Sequence, residues 1–129
     1  KMNVFKTNLS LEDGKYYVSP YGAKIEVKGK KAELLKEKNV GAGEIVLNSI
    51  DTDGVKQGFD LEMLEAVSNA VDVPVIASGG AGCQEDFITL FKTLPKVDAG
   101  LAASIFHFGQ VQIPDLKQTL RANDILVRL

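Results

Sequence analysis

Three short segments of the chain carry the residue types best suited to chemistry. Asp51-Thr52-Asp53-Gly54 offers two carboxylates beside a glycine. Ser78-Gly79-Gly80-Ala81-Gly82 offers a hydroxyl followed by a glycine-rich turn, and Ala103-Ser104-Ile105 offers a second hydroxyl. Glycines allow a tight turn and let backbone N–H groups come close to an anion. A helix that follows such a turn adds the positive end of its dipole. Lys56 is the only cation in these loops, so a phosphate here would be held mainly by backbone N–H groups. The plainer alternative is that the glycines only make turns. Asp51 and Asp53, likewise, would only fix a turn through side-chain bonds to backbone. The glycine-rich loop is followed one unit later by a small-residue strand ending in Ala103-Ser104, and this pairing favours anion binding.

Other reactive residues have plainer readings. His107 is the only histidine. Its flanking Phe106 and Phe108 suggest local packing, and no nucleophile is near it in sequence. Cys83 has no adjacent base or basic cluster and reads as an ordinary thiol. No His/Cys cluster has metal-ligand spacing, and neither a metal nor a cofactor is expected. Glu44 reads as a solvated charge at the start of a strand.

The elements that must position these loops follow a regular plan after Gly29. Residues 31–38 are helical in composition, with Leu34 and Leu35 as apolar contacts, and Gly41 and Gly43 break the chain behind them. Glu44-Ile45-Val46-Leu47-Asn48-Ser49 reads as a buried strand, apolar on both faces as parallel strands tend to be. A helix is predicted from about Leu61 to Ala70, with Asp60 as N-cap and Leu61, Leu64, Val67 and Val71 at helical spacing. Pro74-Val75-Ile76-Ala77-Ser78 is the next strand. Phe87, Leu90, Phe91 and Leu94 then mark one face of a helix. Residues 97–104 are read as a strand, and a last helix starts near Pro114, with Leu116 and Leu120 as its contacts. Strand starts at Glu44, Pro74 and Val97 recur every 23 to 30 residues. That alternation calls for parallel strands with right-handed crossovers, either in an open doubly wound sheet or in a (β/α)8 barrel. The three loops would then share the C-terminal edge of the sheet, where such folds bind ligands. Before Gly29, residues 14–18 and 23–27 read as two short strands joined by Ser19-Pro20-Tyr21-Gly22, a hairpin with no catalytic motif.

Size and composition narrow the class. The 129 residues suffice for one domain, with 1–29 as an irregular or hairpin segment and 30–129 as βα units. A full barrel needs about 200 residues or more, so the chain is expected to be half of one. The net charge of −2 gives no support to nucleic-acid or acidic-membrane binding. No apolar run is long enough to span a bilayer. A single cysteine fits a reducing compartment such as the cytoplasm. Lys1 precedes Met2, which suggests a piece of a longer protein.

These segments together resemble a known family. The run from Gly41 to Gly54 is similar to the sixth strand and loop of the cyclase subunit of imidazole glycerol phosphate synthase, a (β/α)8 barrel of histidine biosynthesis. The run from Pro74 to Gly82 resembles its seventh strand and loop, and Leu101-Ala102-Ala103-Ser104-Ile105-Phe106-His107-Phe108 its eighth. A sister isomerase, which would bind a similar sugar phosphate, shares the Asp-x-Asp-Gly and Ser-Gly-Gly elements and is the second enzyme reading; the ending Ala102-Ala103-Ser104-Ile105-Phe106-His107-Phe108 favours the cyclase.

The resemblance implies ring closure: ammonia from a glutaminase partner reacts with a phosphorylated aminoimidazole carboxamide nucleotide, giving imidazole glycerol phosphate and AICAR. It implies phosphate contacts at Gly54, Gly79, Gly80, Ala103 and Ser104. It gives Asn48, Asp53 and Ser78 supporting catalytic roles, and makes Glu44 a charged gate at the opposite, ammonia-entry end. It puts the principal acid and base on aspartates ending strands one and five, and Lys1-Met2-Asn3-Val4 resembles sequence just after the latter. The stretch alone is therefore expected to be an incomplete cyclase that joins an N-terminal half-barrel or associates with itself. A non-catalytic phosphate-binding half-barrel is the alternative from outside enzymology.

Overall fold

Glu44 to Ser49 form a strand whose residues alternate between half-buried and buried. In this computed structural model, which describes residues 4–12, 15–18, 25–27 and 44–129, that strand is β4. Three strands precede it: β1 (Val4–Glu12), β2 (Lys15–Val18) and β3 (Ile25–Val27). After it come α1 (Leu61–Ala70), β5 (Val75–Ser78), α2 (Gln84–Thr93), β6 (Val97–Leu101), a single helical turn α3 (Ser104–His107) and α4 (Ile113–Ala122). Among the described residues one sheet holds six strands in the order β3-β2-β1-β4-β5-β6. The pairs β1/β4, β4/β5 and β5/β6 are parallel, whereas β1/β2 and β2/β3 are antiparallel. An antiparallel meander is thus appended to a parallel sheet of βα units. The turn expected at Ser19-Pro20-Tyr21-Gly22, the helix expected over 31–38 and the breaks at Gly41 and Gly43 lie outside the described residues.

The parallel part is built as hydrophobic patterning requires. Ile45, Leu47, Val75 and Ala77 are buried on one face of β4 and β5. They share a core with Met63, Leu64 and Val67 of α1, and with Phe87 and Leu90 of α2. Burying a side chain of this size contributes about 1.5–3 kcal/mol, so this face holds the helices against the sheet. Asp60 caps α1 by accepting the Met63 N–H at 3.1 Å. The opposite face, with Val46, Asn48 and Ile76, is only half-buried.

Two local features set where the last loop emerges. The pairing of β5 with β6 steps from Val75↔Val97 to Ile76↔Ala99, leaving Asp98 as an extra residue. The Asp98 carboxylate accepts the Val75 N–H at 3.2 Å. The step aligns Leu101 with Ser78, so the segment after β6 starts beside Gly79. That strand ends at Leu101, three residues before the sequence expectation. Ile105 is fully buried, and Phe106 packs on Phe87 with ring centroids 6.0 Å apart. Turning inward to bury these side chains takes the chain out of the sheet at Ala102 and starts the helical turn at Ser104.

Candidate functional site

The three loops singled out by residue type meet at the C-terminal edge of β4, β5 and β6. They enclose a cavity of about 190 Å3 lined by Asp53, Gly54 and Lys56 from the first loop, Ser78 to Ala81 from the second, and Leu101 to Ser104 from the third. Pockets for whole small molecules usually measure ~300–1,000 Å3, so this one suits the end of a ligand, such as a single phosphoryl group. All the positions expected to bind phosphate (Gly54, Gly79, Gly80, Ala103 and Ser104) line it.

Contacts between the first two loops hold the cavity in shape. Gly58 N–H donates to the Gly80 carbonyl at 2.9 Å, and Thr52 Oγ1 donates to the Gly79 carbonyl at 3.1 Å. Gly80 has φ +106, and a Cβ there would meet the Gly58 carbonyl well inside contact distance and Thr52 Cβ at 2.9 Å. Only glycine fits that position without moving the loop. Beneath the turn, Ser49 is fully buried. Its Oγ donates to Asp60 at 2.9 Å and accepts the Thr52 N–H at 3.3 Å. This joins the end of β4, the loop and the cap of α1; Ser49 was not among the residues expected to matter, although its position at the end of a buried strand was a usable signal.

Asn48, Ser78 and Asp53, expected to support catalysis, form one polar row. Asn48 and Ser78 are register partners across β4 and β5. Ser78 Oγ donates to Asn48 Oδ1 at 2.9 Å, and Asn48 Nδ2 reaches Asp53 Oδ2 at 3.4 Å. The second contact is long and therefore weak, leaving the exposed Asp53 carboxylate turned to the cavity it lines. Glu44 starts β4, four residues before Asn48. At about 3.3 Å per residue it stands roughly 13 Å away, at the opposite edge of the sheet.

One expected contribution is diverted. The N-terminal donors of α2 were expected to face the anion. Instead, Asp86 accepts the Gly82 N–H at 2.7 Å and the Cys83 N–H at 3.1 Å. A carboxylate in the first turn takes the place an anion would occupy. The lining residues that still offer backbone N–H groups are Gly54, Gly79, Gly80 and Ser104, the last of which begins α3. Lys56, missed as a ligand by residue type alone, is also part of the cavity lining.

The other reactive side chains stand apart. Cys83 is exposed, and its thiol is pushed up from the ordinary range, first by desolvation and then by Glu85 and Asp86. His107 is exposed and meets Phe108 edge-on at 4.9 Å. Among the described residues no group of three His, Cys, Asp or Glu is placed to hold a metal ion, and no helix is long and apolar enough to cross a membrane.

Comparison with known proteins bears on the family of the chain. The family model described as "Histidine biosynthesis protein" matches residues 5–112. A relative from Leuconostoc mesenteroides, "Imidazole glycerol phosphate synthase subunit HisF", is 49% identical over 89 residues, covering 69% of this chain and 35% of the relative. The protein of the same name from Hydrogenobaculum sp. is 45% identical over 120 residues, covering 92% of this chain and 47% of the relative. That from Pyrococcus furiosus is 56% identical over 90 residues, covering 70% and 35%. The chain thus spans between about a third and a half of the length of these relatives. The chain belongs to the histidine biosynthesis protein family of (β/α)8 barrels and is of the HisF type.

Proposed function

We propose that this chain supplies a phosphate-binding half of a cyclase that forms imidazole glycerol phosphate and AICAR from ammonia and a phosphorylated aminoimidazole carboxamide nucleotide. The observation that carries the reading is the convergence of the loops after β4, β5 and β6 on one cavity. A phosphoryl group there meets the N–H groups of Gly54, Gly79, Gly80 and Ser104, donors that are fixed before the ligand arrives. The Ser78–Asn48–Asp53 row lies next to it. Its hydroxyl, amide and carboxylate can orient the reacting part of the same ligand. A glutaminase subunit delivers ammonia past Glu44 at the far edge of the sheet. The setting is cytoplasmic.

Binding and chemistry are separable in this reading. Proton transfer needs carriers within hydrogen-bond reach of the reacting atoms and contributes about 10²–10⁴-fold per group. The principal carriers implied by the resemblance end strands one and five of the family barrel. The 129-residue stretch is therefore expected to bind phosphate and to show little ammonia-dependent cyclisation, with activity appearing when a chain extended upstream is joined to an N-terminal half-barrel.

Phosphate titration followed by NMR tests the binding step. The amides of Gly54, Gly80 and Ser104 should move first; shifts confined to β2 and β3 would sink the proposal.

A second reading, self-association, has its own support. Ile50 and Leu101 leave 49% and 43% of their surface open near the C-terminal edge of the sheet, and Val46 and Ile76 are only half-buried. A second half-barrel would cover them. Sedimentation equilibrium should show a dimer, and monomer at all concentrations would count against it.

A further inference from the structure

Lys56 holds a conformation that an L-residue rarely adopts, φ +58. Such strain persists only where the surroundings over-determine it, and here they do. The Lys56 carbonyl lies so close to Gly82 that a Cβ on Gly82 would strike it. Two residues on, Gly58 is bonded to Gly80. The first loop is thus seated on the second, with Lys56 at the contact. From this backbone the side chain crosses to the segment after α3, where Nζ donates to Gln110 Oε1 at 3.1 Å. That partner is a neutral amide 54 residues away in sequence, and both side chains are exposed. The same lysine lines the cavity, opposite in charge to the Asp53 carboxylate that also lines it.

We propose that Lys56 is a charge clamp for a phosphate monoester: it rests on Gln110 and transfers its ammonium to the anion when the cavity fills. The proposal rests on the phosphate reading above and assigns the side-chain cation which that reading lacks. Among the described residues the lining of the cavity carries one acid and one base, Asp53 and Lys56. Without Lys56 an entering anion meets backbone dipoles and an uncompensated carboxylate. With it, the charge is balanced, and the neutral amide of Gln110 is a partner the lysine can leave at little cost compared with a carboxylate. The contact also gives the clamp a second effect. Releasing Gln110 uncouples the first loop from the segment after α3, so occupancy of the phosphate site is reported at Gln110.

The test is titration of inorganic phosphate into the 129-residue chain and its Lys56→Met, Lys56→Arg and Gln110→Ala variants, read by amide NMR. Loss of one charge-assisted contact at an open site should weaken binding about tenfold in Lys56→Met, while Lys56→Arg should bind within roughly twofold of wild type. Gln110→Ala removes the resting partner and should bind as tightly as wild type or tighter. The Gln110 side-chain amide should shift on titration of wild type and stay still in Lys56→Met. Unchanged strand amides in β4 and β5 establish that each variant is folded. If Gly54, Gly80 and Ser104 shift with equal affinity in wild type and Lys56→Met, the clamp is wrong and the phosphate site stands. If they do not shift even in wild type, the phosphate reading fails and the clamp falls with it.

Discussion

Gly80→Ala and Gly54→Ala form a matched pair that separates backbone strain from steric exclusion. Both glycines have positive φ, +106 and +78, so an alanine at either is strained by about 1–2 kcal/mol. Their surroundings differ. A Cβ at Gly54 meets nothing within 4 Å, whereas one at Gly80 meets the Gly58 carbonyl and lies 2.9 Å from Thr52 Cβ. Relief at Gly80 means pushing the first loop off the second, at the expense of the Gly58–Gly80 and Thr52–Gly79 bonds. Overpacking of this kind costs about 1–3 kcal/mol more. The expected losses are therefore about 1 kcal/mol for Gly54→Ala and about 3 kcal/mol for Gly80→Ala, against a total of about 5–15 kcal/mol for a domain. With a urea slope of about 1.5 kcal/mol per molar, the midpoints fall by roughly 0.7 M and 2 M. Equal shifts for the two variants, or no shift for Gly80→Ala, would refute the claim that the loops are in contact at Gly80.

Further outcomes follow from single contacts. Ser49→Ala removes a buried hydroxyl that donates to Asp60 and accepts from Thr52; urea denaturation should show a loss of about 1–2 kcal/mol, and an unchanged midpoint would show that the hydroxyl ties nothing together. Asp86→Ala should cost about 1–2 kcal/mol of stability through the lost cap, yet strengthen phosphate binding, because the Gly82 and Cys83 amides are released; weaker binding in the phosphate titration would mean those amides do not face the anion. The Cys83 thiol, pushed up by desolvation, is neutral at pH 7. Its alkylation by iodoacetamide should be slower there than that of a peptide thiol, so fast labelling at pH 7 would contradict the assignment.

The parallel units were legible in the sequence because their signals are strong and local. The run from Glu44 to Ser49 and the helix from Leu61 to Ala70 match β4 and α1 residue for residue. The strands read at 14–18 and 23–27 correspond to β2 and β3. β1 was not read, although Phe5, Thr7, Leu9 and Leu11 alternate with Lys6, Asn8, Ser10 and Glu12, a period-two pattern; Thr7 interrupts its apolar series and weakens the signal. The end of β6 was misplaced for a different reason. Ala99, Gly100, Ala102 and Ala103 are small residues that suit a strand as well as a turn, and only the demand to bury Ile105 decides between them. The positions around the cavity were legible because small residues and glycines cluster there. The fate of individual donors was not. Whether the Gly82 N–H faces an anion or a carboxylate depends on which rotamer Asp86 takes, and sequence spacing does not fix that.

The interactions that shape the cavity are internal to the three βα units around it. Thr52 and Gly58 bind the second loop, Ser49 anchors the first to α1, and Asp98 sets the register that brings the third alongside. None of these contacts involves β1, β2 or β3. A cradle built this way keeps its donors aimed whether or not a catalytic acid stands opposite, because preorganisation comes from contacts among the loops rather than from the ligand. The polar row has a different status. Asn48 is held firmly by Ser78, but its reach to Asp53 is long at 3.4 Å, so the carboxylate is free to adjust. The cavity is thus complete in its local supports, while the orientation of Asp53 is held only loosely.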